Sequence, residues 1–135
     1  CFSGRKLMGG EEKGVAVIPE EKKANLATVL YELYNVIQDR RVNPVEGSYT
    51  NYLFDKGQDK ILKKVGEEAV ETIIASKNNV RKEILYEMGD LWYHCLVLLA
   101  YHNISPEELF AELMGRRKGA SYHKFPGKTG IRPDL

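Results

Sequence analysis

The chain has 135 residues, 43% of them hydrophobic, and its 20 basic and 19 acidic residues leave a formal net charge of +1. These values are typical of one soluble domain with a real core, and no apolar run is long enough to predict a membrane span. The charge balance gives no general attraction for nucleic acid. Two distant cysteines and no visible signal peptide predict a reducing compartment, the cytoplasm.

Helical periodicity dominates the sequence and predicts an all-α bundle of about five helices. Ser48 is expected to cap the second helix, and Gly57 to end it. Ser105-Pro106-Glu107-Glu108 is a capping box with proline at the first helical position, a strong start signal for the last helix. The predicted helices span residues 24–40, 48–56, 59–77, 80–101 and 106–116.

Segments with weaker periodicity flank this predicted domain of residues 24–116. Residues 1–23 start without Met, are rich in Gly and Lys, and are expected to be a linker or the remnant of a preceding domain. Residues 117–135 carry five basic side chains against one acid, Asp134, and are expected to be a mobile basic tail. The alternative is that this tail folds over a neighbouring active site.

Two acidic clusters carry the clearest chemical signal. Glu67, Glu68 and Glu71 lie close together on the third helix, and Glu87 and Asp90 on the fourth. Like charges at these spacings cost a few tenths of a kcal/mol per pair in an exposed helix, and a hard divalent cation reverses that sign. Facing helices of a bundle often build metal sites from such carboxylates, so the pattern predicts a site for a Mg²⁺ polyphosphate complex.

The helical wheel places each acidic cluster at the edge of a buried apolar face. On the fourth helix, Glu83 and His94 share the acidic stripe. The face predicted to be buried comprises Ile61, Leu62, Val65, Ala69 and Ile73 on the third helix and Ile84, Leu85, Met88, Leu91 and Leu99 on the fourth. A simpler interpretation is a solvated outer face with Lys63–Glu67 and Lys64–Glu68 ion pairs.

The fourth helix is apolar nearly all round between Leu91 and Ala100. A helix of that kind needs burial on several sides. It is either the central helix of the bundle or part of a subunit interface, and we expect the interface.

Three segments resemble one enzyme family. They are SYT at 48–50, KILKKVGEEAVE at 60–71 and EMGDLWYH at 87–94. The pattern Glu-Glu-x-x-Glu followed by Glu-x-x-Asp is shared by the wider all-α nucleotide pyrophosphohydrolases. The first two segments make the chain more specifically similar to phosphoribosyl-ATP pyrophosphatase, the second enzyme of histidine biosynthesis.

The resemblance implies hydrolysis of phosphoribosyl-ATP to phosphoribosyl-AMP and pyrophosphate by a homodimer, with Mg²⁺ as cofactor. By motif position the expected metal ligands are Glu68, Glu71, Glu87 and Asp90. Glu67 and Glu68 are the catalytic candidates, and Glu67 is either a further ligand or orients the water. The expected substrate contacts are Arg40, Ser48, Thr50, Lys60 and Lys64, with Arg41 a further donor. His94 is expected to be a packed histidine bonded to a carboxylate, with direct catalysis as the alternative.

The sequence leaves alternative interpretations open. Cys1-Phe2 is similar to the end of the phosphoribosyl-AMP cyclohydrolase domain that precedes the pyrophosphatase in a bifunctional form of the enzyme, but a cloning scar or an unrelated leader accounts for it equally well. A general nucleoside triphosphate pyrophosphohydrolase would keep the metal ligands and lose the phosphoribosyl contacts. A non-catalytic helical interaction module would release no pyrophosphate.

Overall fold

The protein is described by a computed structural model that covers residues 11–12, 15–16 and 20–117, with side chains from residue 28. The predicted all-α fold with five helices is confirmed in this part of the chain. No helix within it is long and apolar enough to cross a membrane. The predicted basic tail lies outside the described residues, except for Arg117. The helices are α1 (Glu20–Val42), α2 (Tyr49–Lys56), α3 (Gln58–Asn78), α4 (Arg81–Tyr101) and α5 (Pro106–Arg117).

A short strand pair lies within the predicted linker. Strands β1 (Glu11–Glu12) and β2 (Val15–Ala16) are antiparallel, with Glu11 opposite Ala16. The sequence predicts no strand here, because two residues are too few to show an alternation of apolar and polar side chains. Helix α1 also begins four residues earlier than predicted, at Glu20.

The predicted helix boundaries rest on the expected capping interactions. The Ser48 hydroxyl accepts a hydrogen bond from the Asn51 amide at 3.3 Å. Gly57 ends α2 at a φ of 89°, a conformation that side chains other than glycine rarely adopt. At α5, the Ser105 amide donates to Glu108 Oε2 at 2.9 Å, and the Glu108 amide donates to Ser105 Oγ at 3.4 Å. This reciprocal pair is the predicted capping box.

Helices α3 and α4 form a hairpin that supplies most of the tertiary packing. Only Asn79 and Val80 join them, and Asn79 adopts the left-handed conformation with a φ of 56°. A connection this short forces the two helices to run antiparallel. The buried residues of α3 are Ile61, Glu68 and Ala75, spaced by seven and therefore on one seam.

The core is formed by one side of α4 against α1, α2 and α3. Its buried side chains are Tyr34, Ile37, Leu53, Ile61, Tyr93, Leu96, Val97 and Ala100. Arg41 closes one end of this core, because its guanidinium donates to the Ala100 carbonyl and, at 3.0 Å, to Asn103 Oδ1, and lies 5.2 Å from the Phe54 ring centroid. The sequence suggests Arg41 as a hydrogen-bond donor to the second phosphate or the ribose, and in this structure its guanidinium joins α1 to the end of α4.

The predicted buried faces of α3 and α4 are partly wrong. Leu62 and Ile73 on α3, and Leu85 and Met88 on α4, are 40–62% exposed. Glu68 and Asp90, which the helical wheel places at the edge of the core, are instead buried. Of the ten apolar side chains predicted to be buried, only Ile61 is fully buried, five are half-buried and four are exposed.

An open apolar groove runs between α1 and α4. Its volume is about 600 Å³, and Trp92 at its wall is 57% exposed. Helix α4 is therefore buried along one side and exposes large apolar side chains along another. The apolar residues that line the groove include Val29, Leu33, Val36, Leu85, Met88 and Trp92.

Candidate active site

Three carboxylates from the α3–α4 hairpin meet at one point. Glu68 and Glu71 project from α3 and Glu87 from α4, and one oxygen of each lies within 4.8 Å of the other two. Glu68 is buried, Glu87 is half-buried and Glu71 is exposed. We refer to these three residues as the acidic cluster. It opens to solvent on the Glu71 side, so an ion or a substrate phosphate can reach it.

Two oxygens of the acidic cluster lack any partner. Glu68 Oε2 and Glu87 Oε2 are both buried, and neither accepts a hydrogen bond. A buried polar atom left unpaired costs about 1–3 kcal/mol, and more when it is charged. Carboxylate oxygens are the ligands that Mg²⁺ prefers, and the ion is usually held by one or two carboxylates together with phosphates and water. The unpaired oxygens therefore fit a hard divalent cation.

Mutual repulsion within the acidic cluster shifts its protonation. The pKa of Glu87 is raised to about 7, first by its hydrogen bond with Glu71 and then by burial and by Glu68. The pKa of Glu71 is lowered, mainly by its hydrogen bonds with Glu87 and Glu68. Glu71 and Glu87 thus share a proton near neutral pH, and a bound cation would replace that proton.

Lys64 brings a positive charge to the edge of the acidic cluster. Its ammonium lies 3.3 Å from Glu68 Oε1, one helical turn away. This is one of the two ion pairs of the simpler interpretation, in which the acids form a solvated outer face. Lys60 points elsewhere, with its ammonium 5.8 Å from the centroid of the Tyr52 ring on α2. The two lysines predicted to bind phosphate therefore serve different parts of the surface, and only Lys64 contacts the cluster.

Two of the predicted site residues on α3 and α4 lie outside the acidic cluster. Asp90 is buried one turn after Glu87, but its carboxylate is not one of the three that meet in the acidic cluster. Its backbone carbonyl accepts a hydrogen bond from His94 Nδ1 at 2.7 Å. His94 was expected to bond a carboxylate, so that detail is wrong. Glu67 is exposed beside Glu68 and also stands outside the set.

The predicted substrate contacts at the start of α2 are occupied by internal hydrogen bonds. The Thr50 hydroxyl is buried and pairs with the Tyr93 hydroxyl, and Ser48 caps α2. Arg40 is partly exposed, with its guanidinium 3.5 Å from the carboxylate of Asp39. Of the predicted substrate contacts, Lys64 and Arg40 keep charged groups accessible, while Ser48 and Thr50 position α2.

Comparison with known proteins identifies the family. A family model described as phosphoribosyl-ATP pyrophosphohydrolase matches residues 30–117. The chain belongs to this family. The match runs from α1 to the end of α5 and contains all three members of the acidic cluster.

Relatives of the phosphoribosyl-ATP pyrophosphohydrolase family occur alone and as part of longer proteins. The phosphoribosyl-ATP pyrophosphatase of Clostridium acetobutylicum is 58% identical over 90 residues, 67% of this chain and 82% of its own length. That of Pelotomaculum thermopropionicum is 54% identical over 93 residues, 69% of this chain and 95% of its own length. The histidine biosynthesis bifunctional protein HisIE of Thermoanaerobacter pseudethanolicus is 52% identical over 116 residues, or 83% of this chain. The chain spans about half the length of the bifunctional relatives it matches.

The contacts of Tyr49 were not predicted from the sequence. Its hydroxyl lies 2.8 Å from His94 Nε2, and its ring stacks between those of Tyr52 and Tyr93 at centroid distances of 6.1 and 6.4 Å. Tyr49 thereby attaches α2 to α4 beside the acidic cluster. No spacing rule connects residues 45 positions apart, so only the fold shows this pair.

The raised pKa of Glu87 predicts a pH effect on stability. The native state binds the Glu87 proton more tightly than the unfolded chain, whose value is about 4.5, so this contribution to stability falls as pH rises from about 4.5 to 7. The lowered pKa of Glu71 has the opposite effect: its contribution to stability is present above about pH 4.5 and is lost as pH falls below that value. Glu87→Gln, which mimics the protonated acid, should lose less stability than the parent between about pH 5 and 7.5.

Urea unfolding in EDTA at those two pH values measures this difference, and Glu83→Gln on the exposed first turn of α4 is the control. Equal pH slopes in the parent and in Glu87→Gln would contradict the assigned coupling.

Proposed function

We propose that this protein hydrolyses phosphoribosyl-ATP to phosphoribosyl-AMP and pyrophosphate at the acidic cluster, as its relatives' names indicate for them. The single observation that carries the proposal is the convergence of Glu68, Glu71 and Glu87, with two unpaired buried oxygens, inside the region that matches the family. The reaction hydrolyses the phosphoanhydride linkage between the α and β phosphates, with water as the nucleophile.

We further propose Mg²⁺ as the cofactor, held by the three carboxylates of the acidic cluster, with Asp90 one turn along α4 as the fourth candidate ligand. Bound Mg²⁺ supplies charge neutralisation on the leaving pyrophosphate and orients water. Glu67, exposed next to Glu68, is the proposed acceptor of a proton from that water, and it and Glu68 remain the catalytic candidates. Lys64 supplies a positive charge for a phosphate oxygen.

A substrate panel tests the proposed function. We expect release of pyrophosphate from phosphoribosyl-ATP with a kcat/KM at least about tenfold above that for ATP or other nucleoside triphosphates, since lost contacts to one sugar phosphate are worth at least about 1.4 kcal/mol. Similar rates on all triphosphates would favour the general pyrophosphohydrolase instead. If no substrate in the panel released pyrophosphate, the result would favour the non-catalytic interaction module.

We propose that two copies of the chain pair through the groove between α1 and α4. A groove of about 600 Å³ lined by exposed valine, leucine, methionine and tryptophan side chains is costly to leave in water. A second copy of the same surface is self-complementary about a two-fold axis, the commonest arrangement of homo-oligomers. The resemblance to a dimeric family supports this partner over an unrelated protein.

We also propose that the chain belongs to a bifunctional polypeptide with a phosphoribosyl-AMP cyclohydrolase domain. The alignment with the bifunctional relative covers 83% of this chain, against 67% and 69% for the two single-function relatives. The additional similarity therefore lies outside the family region at 30–117. The cytoplasmic location predicted from the sequence belongs to the same proposal, since the named relatives are biosynthetic proteins.

A further inference from the structure

Two lysine side chains meet at the ring of Tyr52. The ammonium of Lys56, at the end of α2, and that of Lys60, in the first turn of α3, each lie 5.8 Å from the centroid of that ring. Tyr52 is 41% exposed and Lys56 is exposed as well, so this group of side chains is open to solvent. We refer to Tyr52, Lys56 and Lys60 as the basic platform.

No acid within the described part of the chain neutralises the basic platform. Asp55 and Asp59 are the acids nearest to its lysines in sequence, and neither forms an ion pair with them. Lys64, one turn further along α3, differs in this respect, because its ammonium lies 3.3 Å from Glu68. Two positive charges held at one ring repel each other, and a doubly charged anion would relieve that repulsion.

Contacts on two helices connect the basic platform to the acidic cluster. On α3, Lys60, Lys64 and Glu68 follow one another at intervals of four residues, so they lie along one side of the helix over about 12 Å. On α2, the ring of Tyr52 stacks on that of Tyr49 at 6.1 Å, and Tyr49 is hydrogen-bonded to α4. The basic platform is therefore fixed about two helical turns from the acidic cluster, with the positive charge of Lys64 between them.

The proposed substrate has a second phosphate that the reaction leaves intact. Phosphoribosyl-ATP carries a triphosphate on one ribose and a phosphate monoester on another, with a purine between the two sugars. When the acidic cluster holds the triphosphate, the monoester must bind away from the metal, at the far end of two ribose rings and a purine. A phosphate monoester carries a charge of about −1.5 to −2 at pH 7 and offers three acceptor oxygens. Lysine supplies the compact positive charge that suits such a group.

We infer that the basic platform binds the phosphate monoester of the second ribose and thereby selects phosphoribosyl-ATP over ATP. The ring of Tyr52 attracts both ammoniums and restrains two long side chains before the substrate arrives, which lowers the cost of ordering them on binding. This assignment rests on the proposed function for the identity of the ligand. It gives Lys60 a particular group of the substrate and adds Lys56 and Tyr52, two residues that the sequence did not suggest.

A packing role for the two lysines makes a different prediction. In that case their aliphatic stems cover the face of Tyr52, and each charge serves only to keep the end of the side chain in water. Lys56→Met and Lys60→Met separate the two roles, because methionine keeps an unbranched apolar side chain against the ring and removes the charge. Under the packing role, both variants would bind every nucleotide as the parent does.

Calorimetric binding of phosphoribosyl-AMP and of AMP in Mg²⁺ measures the contribution of the monoester, because the two ligands differ by the second ribose phosphate. We expect the parent to bind phosphoribosyl-AMP at least about tenfold more tightly than AMP, as one or more charge-assisted hydrogen bonds allow. That preference should fall roughly three- to tenfold in Lys56→Met and in Lys60→Met. It should nearly disappear when the two substitutions are combined.

Lys63→Met is the matched control, because Lys63 is exposed on α3 and its ammonium does not contact the Tyr52 ring. It removes the same charge from the same helix and should keep the parent's preference for phosphoribosyl-AMP. Tyr52→Phe should retain more of that preference than Tyr52→Leu, because only an aromatic ring attracts the two ammoniums.

These binding measurements need no turnover and therefore separate the basic platform from the proposed hydrolysis. If phosphoribosyl-ATP is hydrolysed but both lysine variants keep the parent's preference, the basic platform is not the monoester site. A parent that binds phosphoribosyl-AMP no more tightly than AMP would overturn the inference as well. A preference that depends on Lys56 and Lys60 but not on Lys63 would support it, even in a protein that releases no pyrophosphate.

Discussion

Glu68→Gln is expected to lower the turnover of phosphoribosyl-ATP by roughly a hundredfold or more, because a metal ion stabilises the transition state by several kcal/mol. Glu68 is the buried member of the acidic cluster and presents an unpaired oxygen to its centre. The amide keeps the size of the side chain and removes the charge. The cluster loses an anionic ligand, while its neighbours lose a repulsive partner.

The same substitution should leave folding intact. Without metal, the melting temperature of Glu68→Gln should equal or exceed that of the parent, since relief of repulsion from Glu71 and Glu87 offsets the lost ion pair with Lys64. Steady-state assays and thermal melts on the same samples test both statements. Glu83→Gln is the control, and near-normal turnover in Glu68→Gln would contradict the metal assignment.

Trp92→Glu is expected to weaken the proposed dimer by roughly a hundredfold or more. Burying a large apolar side chain is worth about 1.5–3 kcal/mol, and a two-fold axis applies the change twice, once in each copy. The new carboxylate would also be desolvated among the groove residues Leu85 and Met88. Trp92 is 57% exposed and therefore packs little against the core of its own chain, so the monomer should still fold.

Sedimentation over a range of concentrations measures the dissociation constant, and circular dichroism checks the fold. Met114→Glu is the matched control, because Met114 is 49% exposed on α5 and does not line the groove. A dimer of undiminished stability in Trp92→Glu would show that the groove between α1 and α4 is not the interface.

Local chemistry made the helices predictable from the sequence. Gly57 ends α2 through its positive φ, and the pairing of Ser105 with Glu108 starts α5, so each boundary depends on residues a few positions apart. The strand pair at β1 and β2 escaped prediction because a two-residue strand has no period to detect.

Burial was harder to predict than helicity, because polarity was taken as a measure of exposure. Glu68 is seven residues from Ile61 and from Ala75, and that spacing marks it as part of the α3 seam that packs on α4. The wheel grouped it with Glu67 and Glu71 by charge and so placed it at an edge. On α4 the same bias assigned Leu85 and Met88 to the core, although both line the open groove.

Some parts of the candidate site could be predicted from the sequence, and others depend on how the helices pack. The motif predicts one ligand set of Glu68, Glu71, Glu87 and Asp90, and the structure brings the first three of them together, because i, i+3 spacing and a short hairpin suffice for that. The attachment of Tyr49 to His94 and of Thr50 to Tyr93 depends on how α2 packs across α4, which sequence spacing does not contain. The separation of Lys60 from Lys64 likewise depends on where the Tyr52 ring lies.

The most direct test of the central claim is a Mg²⁺ titration of pyrophosphate release from phosphoribosyl-ATP, run in parallel on the parent, Glu68→Gln and Glu83→Gln. The acidic cluster as the metal site predicts no release in EDTA, saturable activation by Mg²⁺ in the parent and in Glu83→Gln, and little or no activation in Glu68→Gln. Release in EDTA equal to that in Mg²⁺, or full activation of Glu68→Gln at the parent's Mg²⁺ concentration, would contradict it.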